Sequence, residues 1–331
     1  YGEELNRKAL QRIRLQPRIL NNVEHRSLAV RVFGDDAKLP FGVSPMGMCN
    51  LSRPGADLML ARLGARYNVP VGVSTVASTS LEAMARESQG RAWFQLYFGG
   101  DEKQSFSLID RCKHAGYKTL VLGVDVPEVG RRPRELRRGF KMPFHIGPLQ
   151  FIDFALHPTW SLSTLLSGRP ELANFGPSSP SGVFDRTRSR AGADWDLLRR
   201  VRDKWDGHLV VKGVLSPEDA AKLKSCGVDA IQVSSHGGRQ LDSAPPPILA
   251  LPAIWNAVGP HYPLFYDTGI RGGEDIVKAY AMGANFVFLG RPFQFAIAAL
   301  GEEGLAQLTD VLAVETSITL AQLGLCDLQS V

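Results

Sequence analysis

The chain has 331 residues, 44% hydrophobic and 21% charged, with 38 basic and 33 acidic side chains for a formal charge of +5. This is globular composition with ample material for a large core, and the charge is too mild to point to nucleic acid by itself. No apolar run reaches the roughly 18 residues that would suggest a spanning helix. Cys49, Cys112, Cys226 and Cys326 form no C-x-x-C pair, so they read as reduced thiols of a cytosolic protein. The seven histidines show no metal-ligand spacing, and no metal site is expected.

In chain order, short apolar runs alternate with helical patterns. The runs are residues 41–47, 69–74, 92–98, 119–125, 208–214, 230–236, 263–269 and 286–291. Each is rich in Val, Leu, Ile and Phe without alternation, as in parallel strands buried on both faces. Between them, residues 216–227 carry an N-cap at Ser216, proline at the first helical position, acids in the first turn and a stop at Gly227. Residues 272–283 end likewise at Gly283. Eight such units predict one α/β domain, a (β/α)8 TIM barrel spanning 1–331. A doubly wound sheet is the alternative, but no G-x-G-x-x-G follows an early strand.

Two stretches fall outside the repeat. Residues 1–40 precede the first strand, and 126–207 form an insertion between strands four and five, too long for a normal βα connection. The insertion joins "GRRPRELRRGFK" to "PLQFIDFALHPTWSLSTLL". It reads as a lid, a membrane-surface element or a helix packed on the barrel. Its arginines are not interleaved with stacking aromatics apart from Phe140, which argues against nucleic acid.

Barrel chemistry gathers at the C-terminal strand ends. There lie Pro45, Met46 and Gly47; Ser74; Gln95 and Tyr97; Asp125; Lys212; Ser234, His236 and Arg239; Asp267, Gly269 and Arg271; Gly290 and Arg291. Buried charge is costly unless paired, so a plain core would not collect these ions. "DTGIRGG" and "LGR" end strands seven and eight, where glycine N–H groups and bidentate arginines suit a phosphate. Lys212 calls for an anion, as a Schiff-base lysine, a stabiliser of negative charge on a cofactor, or half of a structural ion pair. In "VSSHGGRQLD", His236 can take a proton and Arg239 can clamp a carboxylate, an arrangement that suits an α-substituted acid. Asp125 can orient the imidazole.

These strand ends, with "SSHGGRQLD", "WFQLY", "VDVPEVGRR", "LVVKGV", "DTGIRGGEDIVKA" and "LGRP" in that order, resemble the FMN-dependent α-hydroxy acid oxidase and dehydrogenase family. The insertion looks most like that of the family's mandelate dehydrogenase branch. The resemblance implies that Pro45, Met46, Gly47, Ser74, Gln95, Lys212 and Ser234 contact the flavin ring and its side chain. It assigns Asp267, Gly269, Arg271, Gly290 and Arg291 to the ribityl hydroxyls and phosphate. His236 would be the base beside Asp125, with Arg239, Arg132 and Tyr97 on the substrate.

The implied activity is FMN-dependent oxidation of an L-2-hydroxy acid to the 2-oxo acid, with electrons passing to quinone, a cytochrome or O2. Val76, where many members carry Trp, and the insertion favour an aromatic or bulky acid. The alternatives are an FMN barrel isomerase, which would lack the His236 and Arg239 pair, and a flavin-binding homologue with impaired catalysis. Members carry an active-site tyrosine in a segment before the position of Tyr1, so the chain is expected to lack that segment. Gly123 stands where many have a flavin-contacting Thr, and Thr268 and Ser235 replace a common Gly and Asn. Gly47 leans towards dehydrogenase over oxidase. The resemblance also implies a homo-oligomer, a tetramer, in the cytoplasm. Peripheral contact with the cytoplasmic membrane face would run through residues 145–195.

Overall fold

The eight apolar runs form strands because they are too short and too uniformly apolar for amphipathic helices, and closing them into a ring buries both faces. The computed structural model describes residues 1–130, 137, 147–185 and 189–331. A small antiparallel hairpin, β1 (Val30–Val32) and β2 (Asp35–Ala37), precedes the barrel. The barrel strands are β3 (Phe41–Met46), β4 (Val71–Ser74), β5 (Ala92–Tyr97) and β6 (Thr119–Gly123), then β7 (His208–Val214), β8 (Ala230–Val233), β9 (Leu264–Asp267) and β10 (Phe286–Leu289). They pair in parallel in sequence order, and β10 closes on β3. The expected (β/α)8 barrel is therefore the fold.

Helix α1 (Gly2–Arg12) comes before the hairpin, and α2 (Ala56–Tyr67), α3 (Leu81–Glu87) and α4 (Glu102–His114) follow β3, β4 and β5. The insertion carries α5 (Pro148–Leu156) and α6 (Pro158–Ser167), and α7 (Trp195–Lys204) leads into β7. After β7 to β10 come α8 (Pro217–Ser225), α9 (Pro247–Val258), α10 (Gly273–Ala281) and α11 (Arg291–Leu300), with α12 (Glu302–Leu323) last. The Ser216 hydroxyl accepts from the Asp219 N–H, the cap its sequence predicts.

The hairpin closes the N-terminal end of the barrel. Its turn residues Phe33 and Gly34 both have positive φ, as the tight twist of a two-residue turn requires. Glycine adopts this freely, whereas Phe33 does so at a cost. The Phe33 ring stacks on His208 with centroids 4.1 Å apart and lies 5.5 Å from both Trp93 and Phe265. Nothing in the reading of residues 1–40 anticipated this plug, because its partners lie far away in the chain.

The insertion divides in two. Residues after α6 pack on the barrel: Asn174 is fully buried, its Oδ1 accepts from the Leu81 N–H at 2.9 Å, and its Nδ2 donates to the Thr75 carbonyl at 3.1 Å. Arg111 donates to the Asn174 carbonyl and forms a two-point ion pair with Glu82. Helices α5 and α6 instead face outward, with Phe151, Ile152, Leu156, Leu162, Leu165 and Leu166 all more than half exposed and Leu166 at 86%. The Trp160 indole N–H reaches the Leu51 carbonyl at 3.1 Å, and the Trp160 ring packs 5.2 Å from that of Phe154. Among the described residues no helix is long and apolar enough to cross a membrane.

Candidate active site

Strand register brings distant residues to one level. Across β5, β6 and β7, Tyr97 pairs with Gly123 and Gly123 with Lys212, and Lys212 then pairs with Gln232 on β8. Two residues lower on β5, Gln95 pairs with Ser74. The register shifts between Val43 and Met46 in β3 and between Lys212 and Val214 in β7. Such irregularities release backbone groups from the ladder and are common beside active sites. At the second, Gly213 has φ +105° and an added Cβ would lie 2.4 Å from the Asp125 Cβ, so glycine is what lets Asp125 approach β7.

Lys212 is 4% exposed and ringed by partners. Its Nζ donates to the Ser234 hydroxyl at 2.8 Å and lies 3.3 Å from Asp267 Oδ2 and 3.5 Å from Asp125 Oδ2. Asp267 is fixed in turn by Gln232 Nε2 at 2.5 Å, Ser234 Oγ at 2.6 Å and Thr268 Oγ1 at 2.8 Å. Burial alone would strip the lysine of its proton, but the two carboxylates outweigh it and raise its pKa. For Asp125, burial works upward, and Lys212 and His236 more than offset it, leaving the carboxyl below its usual range. Lys212 is thus a charged ammonium, which disfavours the Schiff-base reading.

His236 stands on a short 3-10 turn, His236–Gly238, just past β8. His236, Gly237 and Gly238 all have positive φ. Two following glycines let the chain turn this way, and at Gly238 a Cβ would sit 2.6 Å from the Glu3 nitrogen of α1. The imidazole Nδ1 is 3.0 Å from Asp125 Oδ1, and Nε2 faces the Tyr97 hydroxyl at 3.5 Å. With a carboxylate on Nδ1, that nitrogen carries the proton and Nε2 is the basic one. Burial, opposed by Lys212, pushes the Tyr97 phenol up to about 12, so it is a neutral donor. A Cβ at Gly123 would lie 2.7 Å from the Tyr97 ring, so the bare glycine lets the tyrosine lie against β6.

The other end of the site is cationic. Arg271 and Arg291 follow β9 and β10, and both contact Glu3 of α1. Gly290 is the N-cap of α11, where a Cβ would come no closer than 3.6 Å to its neighbours. Gly269 turns with φ +87° against Leu10 of α1. Arg239 is exposed; burial first, against Glu3, and then the Arg239 charge pull down the pKa of Arg291. Arg132 lies outside the described residues. Pro45 and Met46 end β3 with Gly47 just beyond, Ser74 ends β4, Gln95 lies two residues before the end of β5, and Ser234 directly follows β8.

Four contributors escaped notice as site residues. Gln232 holds Asp267. Asn6 Nδ2 donates to the Ser235 hydroxyl at 3.1 Å, tying α1 to the histidine turn. Glu3 meets the arginines. Thr268, singled out only as a replacement for glycine, has φ +96°, a strained value for a β-branched residue. Its hydroxyl donates to Asp267 and accepts from the Ser235 and Gly237 N–H groups at 3.4 and 3.2 Å, so it clasps the turn that carries His236.

The residues suit a flavin mononucleotide. The amide Nε2 of Gln95 is buried and has no hydrogen-bond partner among the described residues, a donor awaiting an acceptor. A buried ammonium and a distal arginine pair match an electron-accepting ring at one end and a phosphate at the other.

The family described as FMN-dependent dehydrogenase matches residues 2–331. The chain is 38% identical to (S)-mandelate dehydrogenase of Pseudomonas putida over 335 aligned positions, covering 100% of this chain and 84% of that protein. It is 38% identical to 4-hydroxymandelate oxidase of Amycolatopsis orientalis, covering 94% of this chain and 82% of the relative. A crystal structure described as monotopic membrane protein (S)-mandelate dehydrogenase superposes with a TM-score of 0.94 at 38% identity, covering 100% of this chain and 89% of the other. These findings favour oxidation over the isomerase and impaired-homologue readings. The chain belongs to the FMN-dependent dehydrogenase family, as an FMN-dependent enzyme of 2-hydroxy acid oxidation.

Proposed function

We propose that the chain oxidises an aryl 2-hydroxy acid of the mandelate type, with His236 as the base, and delivers the electrons to an acceptor at a membrane surface. The observation that carries the catalytic part is the Asp125–His236 pair at 3.0 Å, which leaves Nε2 directed at the Tyr97 hydroxyl. Converting a 2-hydroxy acid to a 2-oxo acid removes two electrons and two protons. His236 Nε2 takes one proton, and Asp125 stabilises the imidazolium that results. Arg239 and Arg132 bind the substrate carboxylate, and Tyr97 donates a hydrogen bond to its polar end.

Bound FMN would supply the acceptor for both electrons and for the second proton. The backbone of Pro45, Met46 and Gly47, with Ser74, Gln95, Lys212 and Ser234, would hold its ring region. Asp267, Gly269, Arg271, Gly290 and Arg291 would hold the ribityl and phosphate groups. Lys212 would place positive charge next to the ring and so favour its taking up electrons. An aryl substrate is supported by the small Val76, whose side chain lies against Gly47, and by the relatives named for mandelate and hydroxymandelate.

The exposed apolar side chains of α5 and α6 support a peripheral seat on the cytoplasmic membrane face, since such a patch on a soluble surface carries a solvation cost. Between residues 148 and 167 Asp153 is the only Asp, Glu, Lys or Arg, so the face carries little charge to oppose contact with lipid.

The test is the visible spectrum of the purified protein under anaerobic conditions, before and after (S)-mandelate. Flavin bands that bleach in the wild type but not in His236→Asn support the reading. Bands that persist with (S)-mandelate and bleach with an aliphatic 2-hydroxy acid overturn the aryl assignment. Bleaching at an unchanged rate in His236→Asn overturns the base assignment.

A further inference from the structure

We infer that Glu3 is a built-in counter-ion for the Arg271 and Arg291 pair and competes with the cofactor's phosphate for it. The inference rests on reading those arginines as the phosphate site. Arg271 spends Nη1 on the Ile270 carbonyl at 2.8 Å, and Arg291 spends Nη2 on the Gly237 carbonyl at 2.8 Å. Their remaining terminal nitrogens converge on a single oxygen, Glu3 Oε1, which lies 3.5 Å from Arg271 Nη2 and in direct contact with Arg291 Nη1.

The neighbourhood explains why an anion belongs there. Both arginine side chains are about three-quarters buried. Burial first, then the charge of Arg291, works against a charged Arg271, and Arg7 adds to this. At Arg291 burial is again the largest influence, with Arg239 acting in the same direction and Glu3 opposing both. Four arginines therefore share one field, and the chain relieves it with Glu3, the carboxylate in contact with both Arg271 and Arg291, helped by Asp275 at Arg271 and Asp267 at Arg291. A phosphate monoester brings about −1.5 to −2 of charge at neutral pH. Set against the same nitrogens, it meets Glu3 as a like charge.

Glu3 cannot simply drift away. Helix α1 is fastened over the mouth by Asn6 Nδ2 to Ser235 Oγ at 3.1 Å and by the Gly2 N–H to Asp242 Oδ1 at 3.0 Å. The Glu3 backbone also packs on Gly238. The carboxylate must swing out on its own side-chain bonds when the phosphate enters, so part of the binding free energy goes into displacing it. FMN is then held less tightly than the arginines alone would allow.

The experiment titrates the deflavinated chain, wild type and Glu3→Gln, with FMN and separately with riboflavin, which lacks the phosphate, following flavin fluorescence. The expected result is FMN affinity about tenfold tighter in Glu3→Gln, or about 1.4 kcal/mol, with riboflavin affinity equal in the two proteins. Glu3→Ala should rank with Glu3→Gln, so the result does not hang on one substitution. Equal or weaker FMN binding in both variants overturns the inference and makes Glu3 a support for the arginines. Equal tightening of riboflavin also overturns it, because the effect would then not involve the phosphate. If FMN binds no better than riboflavin in Glu3→Gln and Glu3→Ala as well as in the wild type, the phosphate-site reading itself falls, and the inference falls with it.

Discussion

The barrel mouth and the outer face of the insertion each invert the ordinary rule of protein surfaces, in opposite senses. At the mouth, a lysine and an aspartate are buried and a second aspartate nearly so, with almost every polar atom paired. On the insertion, six large apolar side chains stand in solvent. The first arrangement is costly unless the ions hold one another, so each member depends on the rest. The second involves little mutual dependence, because exposed side chains contribute little to the folded barrel. In our proposal, charge inside and hydrocarbon outside are both fitted to something the chain meets, a flavin and its acid at the mouth and lipid on the outer face. Substitutions at the two places should therefore break different properties.

The largest effect on the molecule is expected from Lys212→Met. Removing the ammonium leaves Asp125 and Asp267 buried without their cation, at a cost of about 3–5 kcal/mol, read as a fall in the denaturant midpoint. If stability stays within about 0.5 kcal/mol of wild type, the mutual dependence claimed for the mouth is wrong. Next comes His236→Asn, which should lower turnover about 10²- to 10⁴-fold while the denaturant midpoint scarcely moves, since His236 is only partly buried. Steady-state kinetics beside a melting curve separates the two.

A smaller effect belongs to Thr268. Thr268→Gly relieves a positive φ but loosens the clasp on the histidine turn. Turnover should fall about tenfold, the loss of roughly one net hydrogen bond's worth of positioning, with KM nearly unchanged. Thr268→Ser, which keeps the hydroxyl, should restore most of it. Full activity in Thr268→Gly would reduce the residue to packing.

The acid limb of stability sharpens the same point. Asp125 is held below its usual range in the folded state, so its contribution is present above the unfolded carboxylate value and is lost as pH falls through the lowered one. Lys212 is raised, so its contribution is present below its unfolded value and is lost only as pH rises through the raised one. Wild-type melting temperature should thus hold until strongly acid pH. In Lys212→Met, Asp125 loses its main charge partner, and the acid fall should move to higher pH. An unmoved acid limb would mean that another group controls it.

The smallest effect on the barrel is expected from replacing Phe151, Leu165 and Leu166 together with serine. Stability should change by no more than about 0.5 kcal/mol per site, while sedimentation with anionic lipid vesicles falls sharply. Unchanged sedimentation would remove lipid as the occupant of that face. The change should stay within α5 and α6, because deleting as far as Asn174 would also pull a buried amide out of the barrel wall.

Much of the barrel was legible from residue order. The eight strands appear within a few residues of their apolar runs, since a strand buried on both faces leaves a local and continuous hydrophobic signature. The strand-end ions were legible for the same reason: once the barrel is inferred, a Lys, His or Asp after an apolar run must lie at the mouth. The α1 strap, the Phe33 plug and the Asn174 wedge were not, because each takes its meaning from partners brought near only by ring closure. Asn6 reaches Ser235 across 229 positions and Asn174 reaches Leu81 across 93.

Residue order alone was thus enough for the barrel, the flavin family and the identity of the ions at the mouth, because apolar runs and ordered motifs are local properties of the chain. Long-range packing settled which ion faces which. Lys212 lies between two carboxylates, Asp125 holds Nδ1 of His236, and Glu3 meets the arginine pair. Those pairings follow from strand register and from where α1 lies across the barrel, and electrostatic interactions at 3 to 4 Å depend on geometry that no local pattern encodes.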